Sequence, residues 1–198
     1  MNTGRLLARL VVGGLFVGHG LQKLDGRFDG PGIDGTKEMM KSLEMRPATA
    51  HAYAAGVTET AGGAMLAAGA ATPLAAASLI GVMITAIRKV HLKNGPWNSN
   101  GGFEYNVVLI AALLAIVDGG PGPVSVDALR RKSRRGLPAA LGALGLGAAA
   151  STIAIELGRR GTQREIDIAG YESERDSHAG GERTGPAPVP TEVPPATA

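Results

Sequence analysis

The sequence predicts an all-α integral membrane helical bundle, with a four-helix core and a fifth transmembrane helix. Its apolar residues are gathered in blocks rather than spread along the chain. The longest block, residues 51–87, carries Glu59 as its only full charge and is long enough for two bilayer crossings of about 20 residues each. The C-terminal fifth of the chain is polar, so we expect the bundle to occupy the residues before it.

The composition excludes several classes of function. The net charge is +3, which is too small to indicate a nucleic-acid partner, and the basic residues stand at the ends of apolar segments, as they do in membrane proteins. The chain has no cysteine, which excludes disulfides, thiol catalysis and thiolate metal sites within it. We therefore expect the lipid bilayer as a partner, and neither a nucleic acid nor a bound metal.

The first predicted helix spans residues 6–24. Arg5 and Arg9 precede apolar residues as in a signal peptide, but no small-residue cleavage site follows, so we expect the helix to be retained. Its C-terminal end is polar. Because residues three and four apart are neighbours on a helix, one face of this end carries His19, Gln22 and Lys23.

Residues 25–47 are predicted to form a loop that contains one short amphipathic helix. Residues 30–35 fit the spacing G-x-G-x-x-G, but no strand precedes them and Pro31 stands in the turn, so we interpret them as a glycine-rich loop rather than a nucleotide site. Residues 36–45 then alternate apolar and charged side chains at helical spacing, which indicates a helix on the membrane surface or across the end of the bundle.

A tight hairpin of two helices is predicted for the long apolar block. The second helix spans residues 49–71, the third spans residues 73–90, and the Gly and Pro of residues 69–73 supply the turn. Glu59 falls near the middle of the second helix. An ionised carboxylate facing lipid there costs roughly 2.5 kcal/mol or more, so Glu59 must face the interior, be paired or be protonated.

The rest of the chain completes the predicted division into four parts. A fourth helix over residues 103–117 closes a four-helix bundle of residues 1–120. Residues 121–136 form a basic loop, and residues 137–158 form the additional transmembrane helix. Residues 159–198, which end in a run of prolines, cannot bury enough apolar surface to offset ordering and are predicted to be a disordered tail.

The distribution of basic residues predicts the orientation of the helices. The loop before the fifth helix is strongly basic, and the N-terminus holds Arg5 and Arg9. The positive-inside tendency therefore predicts a multi-pass protein of the cell membrane with a cytoplasmic N-terminus. The basic residues of that loop are Arg130, Arg131, Lys132, Arg134 and Arg135.

Alternation of the helices gathers polar residues at one end of the bundle, whichever way it is oriented. The end of the first helix, the start of the second, the end of the third and the start of the fourth share one leaflet. Ionisable residues within membrane helices indicate function by default; the alternative is a layer of salt bridges that joins the helix ends. The candidate binding cluster is His19, Gln22, Lys23, Glu59, Arg88, His91, Glu104 and Asn106.

Three stretches carry a family resemblance: residues 14–24, residues 57–63 around Glu59, and His91, Asn94, Gly95 and Trp97 with residues 101–106. Together they extend over about residues 5–117 and resemble the DoxX family of small membrane proteins. The resemblance implies a four-helix membrane bundle. Family members are associated with redox chemistry: some resemble a subunit of a thiosulfate:quinone oxidoreductase, and others a membrane partner of superoxide dismutase and a sulfurtransferase. The fifth helix and the Pro-rich tail depart from the family pattern.

Three functions are consistent with these residues. The first is a non-catalytic membrane anchor or subunit of a redox complex that docks soluble redox enzymes, which fits the absence of cysteine and of metal or haem motifs. The second is a quinone-interacting oxidoreductase subunit, with quinone as its cofactor. The third is a small transporter that couples solute movement to a proton on Glu59. We identify no catalytic residue, and we expect no activity from the chain alone.

Overall fold

The structure is a computed structural model that describes residues 3–131 and 133–181, with side chains described as far as residue 175. Within these residues it is helical and has no strand, and the predicted all-α integral membrane bundle is confirmed. By length and composition, the helices able to cross a membrane lie at Thr3–Asp25, Thr72–Asn94 and Leu137–Arg175. The α-helices are α1 (Thr3–Asp25), α2 (Gly32–Ser42), α3 (Ala48–Ala68), α4 (Thr72–Ala86), α5 (Glu104–Gly119), α6 (Val126–Leu129) and α7 (Leu137–Gly181).

The chain divides into two compact units, residues 1–162 and residues 163–198. The sequence predicted a disordered tail from residue 159, but residues 159–181 are helical. Polar side chains four apart support this helix: Glu156 pairs with Arg160 at 2.7 Å, and Gln163 donates to Asp167 at 2.8 Å. The prolines that motivated the prediction begin at residue 186, and residues 182–198 lie outside the described residues.

The α3–α4 hairpin forms where the sequence predicted it, and the predicted turn residues end one helix and begin the next. Gly69 takes a left-handed conformation with φ 62°, which glycine adopts without a Cβ penalty. Its N–H donates to Leu66 O at 3.0 Å, and the N–H of Ala70 donates to Met65 O at 2.8 Å, which satisfies carbonyls left open at the helix end. Pro73 lies in the first turn of α4, where it needs no N–H partner.

α1 and α3 pack closely because glycines face each other along their contact. A Cβ on Gly13 would lie 2.6 Å from Gly63 O, and a Cβ on Gly63 would lie 2.6 Å from Gly13 O. Where lipid removes the hydrophobic incentive for helix association, such small residues let helix backbones approach and pack. The adjacent Gly14 has open space around its Cβ position, so only one glycine of this pair serves the contact.

α2 begins earlier than predicted, at Gly32 rather than residue 36, and ends at Ser42. Residues 32–35, expected in a glycine-rich loop, are therefore helical. The missed signal is the spacing of Ile33, Thr36 and Met40, which puts all three on one face. Ile33 packs against the core around buried Met40, and buried Thr36 donates to Lys23 O at 3.1 Å, which ties α2 to the end of α1.

On the outer face of α2, Lys37 donates to Asp34 at 3.0 Å. This hydrogen bond raises the pKa of Lys37. Because the pair lies on the surface, it contributes little to the stability of the fold.

The third predicted helix changes its geometry before it ends. α4 stops at Ala86, and Ile87–His91 continue as a π-helix, in which hydrogen bonds join residues five apart. Within the predicted basic loop, Val126–Leu129 form a short helix whose N-cap is Ser125, which accepts a hydrogen bond from Ala128 N at 3.1 Å.

α7 packs against α4 over residues 140–151. Ala140 and Ala143 join the core cluster of α4 and α5 residues. A Cβ on Gly147 would fall 2.9 Å from Ala77 O, so glycine permits the close approach. Farther along, Thr85 donates to Ser151 at 3.0 Å. The additional helix therefore belongs to the bundle of the first unit as far as residue 162.

Candidate ligand-binding cavity

A cavity of about 580 Å³ lies inside the first unit, at the end of the bundle that holds Glu59. We call this the Glu59 end. Its volume falls in the range of small-molecule sites, roughly 300–1,000 Å³. Side chains of α1, α2, α3, α4, the π-helix, α5 and α7 line it. From the predicted cluster, its lining includes His19, Lys23, Glu59, His91 and Asn106.

An ion pair forms the polar centre of the cavity wall. Lys23 Nζ lies 2.7 Å from Glu59 Oε2, with 21% of the lysine side chain and 3% of the glutamate side chain exposed. The sequence required Glu59 to be paired, protonated or turned inward, and the structure turns it inward and pairs it. Removing either partner would leave the other charge buried without compensation, which is costly.

Two histidines on the lining make hydrogen bonds outside the ion pair. His91 Nδ1 lies 2.8 Å from Gly101 O; because a carbonyl oxygen only accepts, Nδ1 carries the proton. His19 Nδ1 lies 3.1 Å from Gln22 Oε1. Because Nδ1 of His91 carries a proton, its Nε2 is an acceptor when the ring is neutral and a donor when the ring is protonated.

Asn106 is buried at the start of α5, and its hydrogen bonding is weak. Its amide donates to Met83 Sδ at 3.4 Å, and a thioether is a poor acceptor. Buried amides normally have stronger partners than this one. Asn106 therefore brings to the cavity a polar group with unused hydrogen-bonding capacity.

Three residues of the predicted cluster lie outside the cavity lining. Gln22 reaches it only through His19 and otherwise donates to Phe28 O at 3.2 Å. Arg88 is exposed and donates to Thr152 at 3.1 Å. Glu104 lies in the first turn of α5, where a carboxylate is stabilised by the positive end of the helix dipole.

Sequence reasoning did not single out other polar residues of the lining. His51, Lys89 and Tyr105 all contribute to it. Lys89 and His91 reach the cavity from the π-helix, in which residues three apart do not share a face as they do in an α-helix. His51 stands at the start of α3, and the alternation of the helices predicted that this helix end lies in the same leaflet as the rest of the cluster. That placement was the available signal.

The remaining wall of the cavity is apolar and rich in methionine. Flexible, polarizable methionines adapt to ligands of different shape. Among the described residues, no group of three or more His, Asp or Glu side chains is arranged to hold a metal ion. The arrangement therefore fits a molecule with an apolar body and a hydrogen-bonding head. The main apolar side chains are Met39, Met40, Leu43, Met45, Val82, Met83 and Leu109.

The opposite end of the bundle, which we call the Arg9 end, holds a second polar cluster with different geometry. Arg9 is 1% exposed; its Nη1 donates to Pro121 O, and its Nη2 donates to Val124 O at 2.7 Å. Its Nε has no hydrogen-bond partner among the described residues. The guanidinium group of Arg9 thus joins α1 to the loop after α5 by hydrogen bonds.

Asp127 completes the Arg9 end. Its carboxylate accepts from Ala71 N at 2.7 Å, from Thr72 N at 2.9 Å and from Thr72 Oγ1 at 2.8 Å. The N–H of Asp127 donates to Gly69 O at 2.9 Å. α6 is thereby bound to the turn between α3 and α4, and this end of the bundle is closed by its own backbone.

Comparison with known protein families gives a match over the first half of the bundle. The family model described as DoxX matches residues 4–92, which include α1 to α4, the π-helix and, from the cavity wall, Lys23, Glu59 and His91. No curated protein and no solved structure matches the chain.

Proposed function

Residues 4–92 belong to the DoxX family, and from this membership and the cavity we propose that the protein is a membrane subunit of a redox complex that binds a quinone-class ligand at the Glu59 end. The cavity is the observation that carries the proposal. A chain that served only as an anchor would not need a cavity of about 580 Å³ lined by paired and unpaired polar groups.

The cavity lining matches both the polar head and the apolar tail of a quinone. A quinone head carries two carbonyl oxygens that accept hydrogen bonds, and the cavity offers donors in the Asn106 amide, the Tyr105 hydroxyl and the Lys23 ammonium. An isoprenoid tail is apolar, and Met40, Leu43 and other side chains of the wall are apolar too. We propose that Asn106 and Lys23 hold the head.

Quinones supply two-electron redox chemistry that is coupled to protons. The part of this chain would be to bind the head, exclude bulk water and hold an ionisable pair, Lys23 and Glu59, at 2.7 Å beside it. With no catalytic residue proposed, the electrons would come from a partner. We propose soluble redox enzymes for that role.

For the location, we propose a multi-pass protein of the cell membrane with its N-terminus in the cytoplasm. Support comes from the exposed arginines of the loop before α7, Arg130, Arg131, Arg134 and Arg135. The Arg9 end would then face the cytoplasm and the Glu59 end the opposite side. A reporter fused at residue 133 that is active only in the cytoplasm tests this orientation, and activity only outside it contradicts the proposal.

A proton-coupled transporter that uses Glu59 has less support. Its carboxylate already has a counter-ion at 2.7 Å, so stabilising the bundle accounts for Glu59 without a transported proton. Solute uptake that depends on the proton gradient and is lost in Glu59→Gln would favour the transporter. Uptake that is unchanged in Glu59→Gln would exclude it.

The proposal is tested on the full chain purified from native membranes in mild detergent. Organic extraction and mass spectrometry should recover a quinone in stoichiometric amount. Added menaquinone analogue should quench the fluorescence of Trp97, the single tryptophan, in a saturable way. Ala86→Phe, which fills the cavity, should abolish both signals while the thermal midpoint shows that the fold is kept.

The matched control is Ala64→Phe, because Ala64 is an exposed alanine of α3 outside the cavity lining. It should bind quinone like the unmodified protein. Absence of quinone from the native preparation together with no saturable binding would overturn the proposal. If a soluble redox enzyme were co-purified without any quinone, the protein would be an anchor alone.

A further inference from the structure

The charges on the cavity wall do not cancel. Glu59 is the only carboxylate of the lining, and Lys23 pairs with it at 2.7 Å. Lys89, which carries a second positive charge, also lines the cavity. Among the described residues, no carboxylate forms an ion pair with Lys89. The cavity therefore has an excess of one positive charge before any histidine is protonated.

The other titratable groups on the wall do not compensate for this excess. They are His19, His51, His91 and Tyr105. An imidazole is either neutral or positive, and the phenol of a tyrosine is neutral well above neutral pH. Protonation of any histidine would increase the positive charge, so compensation must come from something that enters the cavity.

The position of Lys89 differs from that of an ordinary lysine at a helix end. A terminal lysine normally extends its ammonium to the water at the membrane interface. Lys93, one turn later, is exposed in that way and lies outside the lining. Lys89 is half-buried and lies in the π-helix beside His91, and single π-turns within helices occur frequently at functional sites.

We infer that the ligand of this cavity is an amphiphile with an anionic head, and that Lys89 binds that head. The apolar wall of Met39, Met40 and Leu43 takes the body of the molecule. This inference rests on the proposed quinone function and narrows it to acidic quinones, in which a ring hydroxyl is ionised. An amphiphilic carboxylate has the same chemistry, and the experiment separates the two.

The test compares two ligands that differ in charge but hardly in shape. A 2-hydroxy-3-alkyl-1,4-naphthoquinone is an anion at neutral pH, and its 2-methoxy derivative is neutral. We expect the unmodified protein in detergent to bind the anion about tenfold more tightly, since hydrogen bonds to charged groups are stronger than neutral ones. Lys89→Met should remove this preference, Lys89→Arg should keep it, and Lys93→Met is the matched control that should leave it unchanged.

Each outcome decides one point. Equal binding of both naphthoquinones by the unmodified protein, or an unchanged preference in Lys89→Met, would overturn the inference and leave the quinone function standing. Binding of dodecanoate that depends on Lys89, with neither naphthoquinone bound, would support the anionic head and overturn the quinone function. A thermal midpoint close to that of the unmodified protein shows that loss of preference in Lys89→Met is not loss of fold.

Discussion

The two ends of this bundle both contain buried charges, but they satisfy them in different ways. At the Arg9 end, Arg9 and Asp127 are bound mainly by backbone groups: the carbonyls of Pro121 and Val124 and the amides of Ala71 and Thr72. At the Glu59 end, the buried carboxylate is bound by another side chain, that of Lys23. Backbone partners close one end, and side-chain partners border a cavity at the other.

The difference indicates that the two ends have different roles, one in stability and the other in ligand binding. A charge bound by the backbone groups of a turn fixes the conformation of that turn. A pair of side chains can exchange its partners when a ligand binds, because each side chain has rotamers available. We therefore expect substitutions at the Arg9 end to affect stability alone, and substitutions at the Glu59 end to affect stability and binding to different degrees.

The largest loss of stability should follow Asp127→Ala. The substitution leaves three donors of Ala71 and Thr72 without their acceptor and removes a negative charge that attracts buried Arg9. Breaking a buried charge network typically costs about 3–5 kcal/mol. Thermal unfolding in detergent should show a much lower midpoint, whereas the protein that remains folded should bind ligand normally.

Asp118→Ala is the control for this substitution. Asp118 is exposed at the end of α5, close to the same loop, and surface substitutions usually change stability by no more than about 0.5 kcal/mol. Equal midpoints for Asp127→Ala and Asp118→Ala would show that the Arg9 end is not held by this carboxylate.

Lys23→Met should cause the next largest loss of stability. It leaves Glu59 without a counter-ion, but at the wall of a cavity rather than inside a turn, so we expect a cost of about 2 kcal/mol. Glu59→Gln added to Lys23→Met should recover part of that loss, because the uncompensated charge is gone. A double-mutant cycle on thermal midpoints measures this coupling, and strictly additive losses would contradict the ion pair.

Most of the fold could be predicted because long apolar segments and strong turn residues dictate it. The α3–α4 hairpin follows from its composition and from the turn at Gly69 and Pro73. What the pattern did not predict depends on contacts distant in sequence. The early start of α2 depends on the hydrogen bond that Thr36 donates to Lys23 O. α7 continues past residue 159 because polar side chains pair along its own surface.

The candidate site could be predicted as a set of helix ends but not residue by residue. In the structure, one cavity is lined by five residues of the predicted cluster, and their role in binding stays a prediction: His19, Lys23, Glu59, His91 and Asn106. Arg88 and Lys89 were harder to place, since a π-helix changes which side chains share a face. Arg9 was interpreted only as a basic residue near the N-terminus, because its acceptors are carbonyls more than a hundred residues away.

A third prediction concerns the contact that joins the two ends. Gly13→Ala places a Cβ against the backbone of Gly63 and Ala67, which cannot yield as a flexible side chain would, so we expect a loss of about 1–3 kcal/mol. The neighbouring Gly14→Ala meets nothing within 4 Å and should be neutral or slightly stabilising. A lower thermal midpoint for Gly14→Ala than for Gly13→Ala would contradict the close approach of α1 and α3 at Gly13 and Gly63.

Controls aside, the smallest effect on stability should come from Asn106→Leu, which tests stability and binding at the Glu59 end separately. The amide of Asn106 has only a weak bond to Met83 Sδ, at 3.4 Å, so replacing it with leucine, which has the same number and branching of side-chain heavy atoms, should cost no more than about 1 kcal/mol. If Asn106 is retained to hold a ligand head, quinone binding should weaken about tenfold at nearly unchanged stability. Trp97 quenching and the thermal midpoint, measured on one preparation, give both quantities. Unchanged binding would mean that Asn106 serves the cavity wall alone, whereas a large drop in midpoint would mean that the Glu59 end, like the Arg9 end, depends on its buried polar groups for stability.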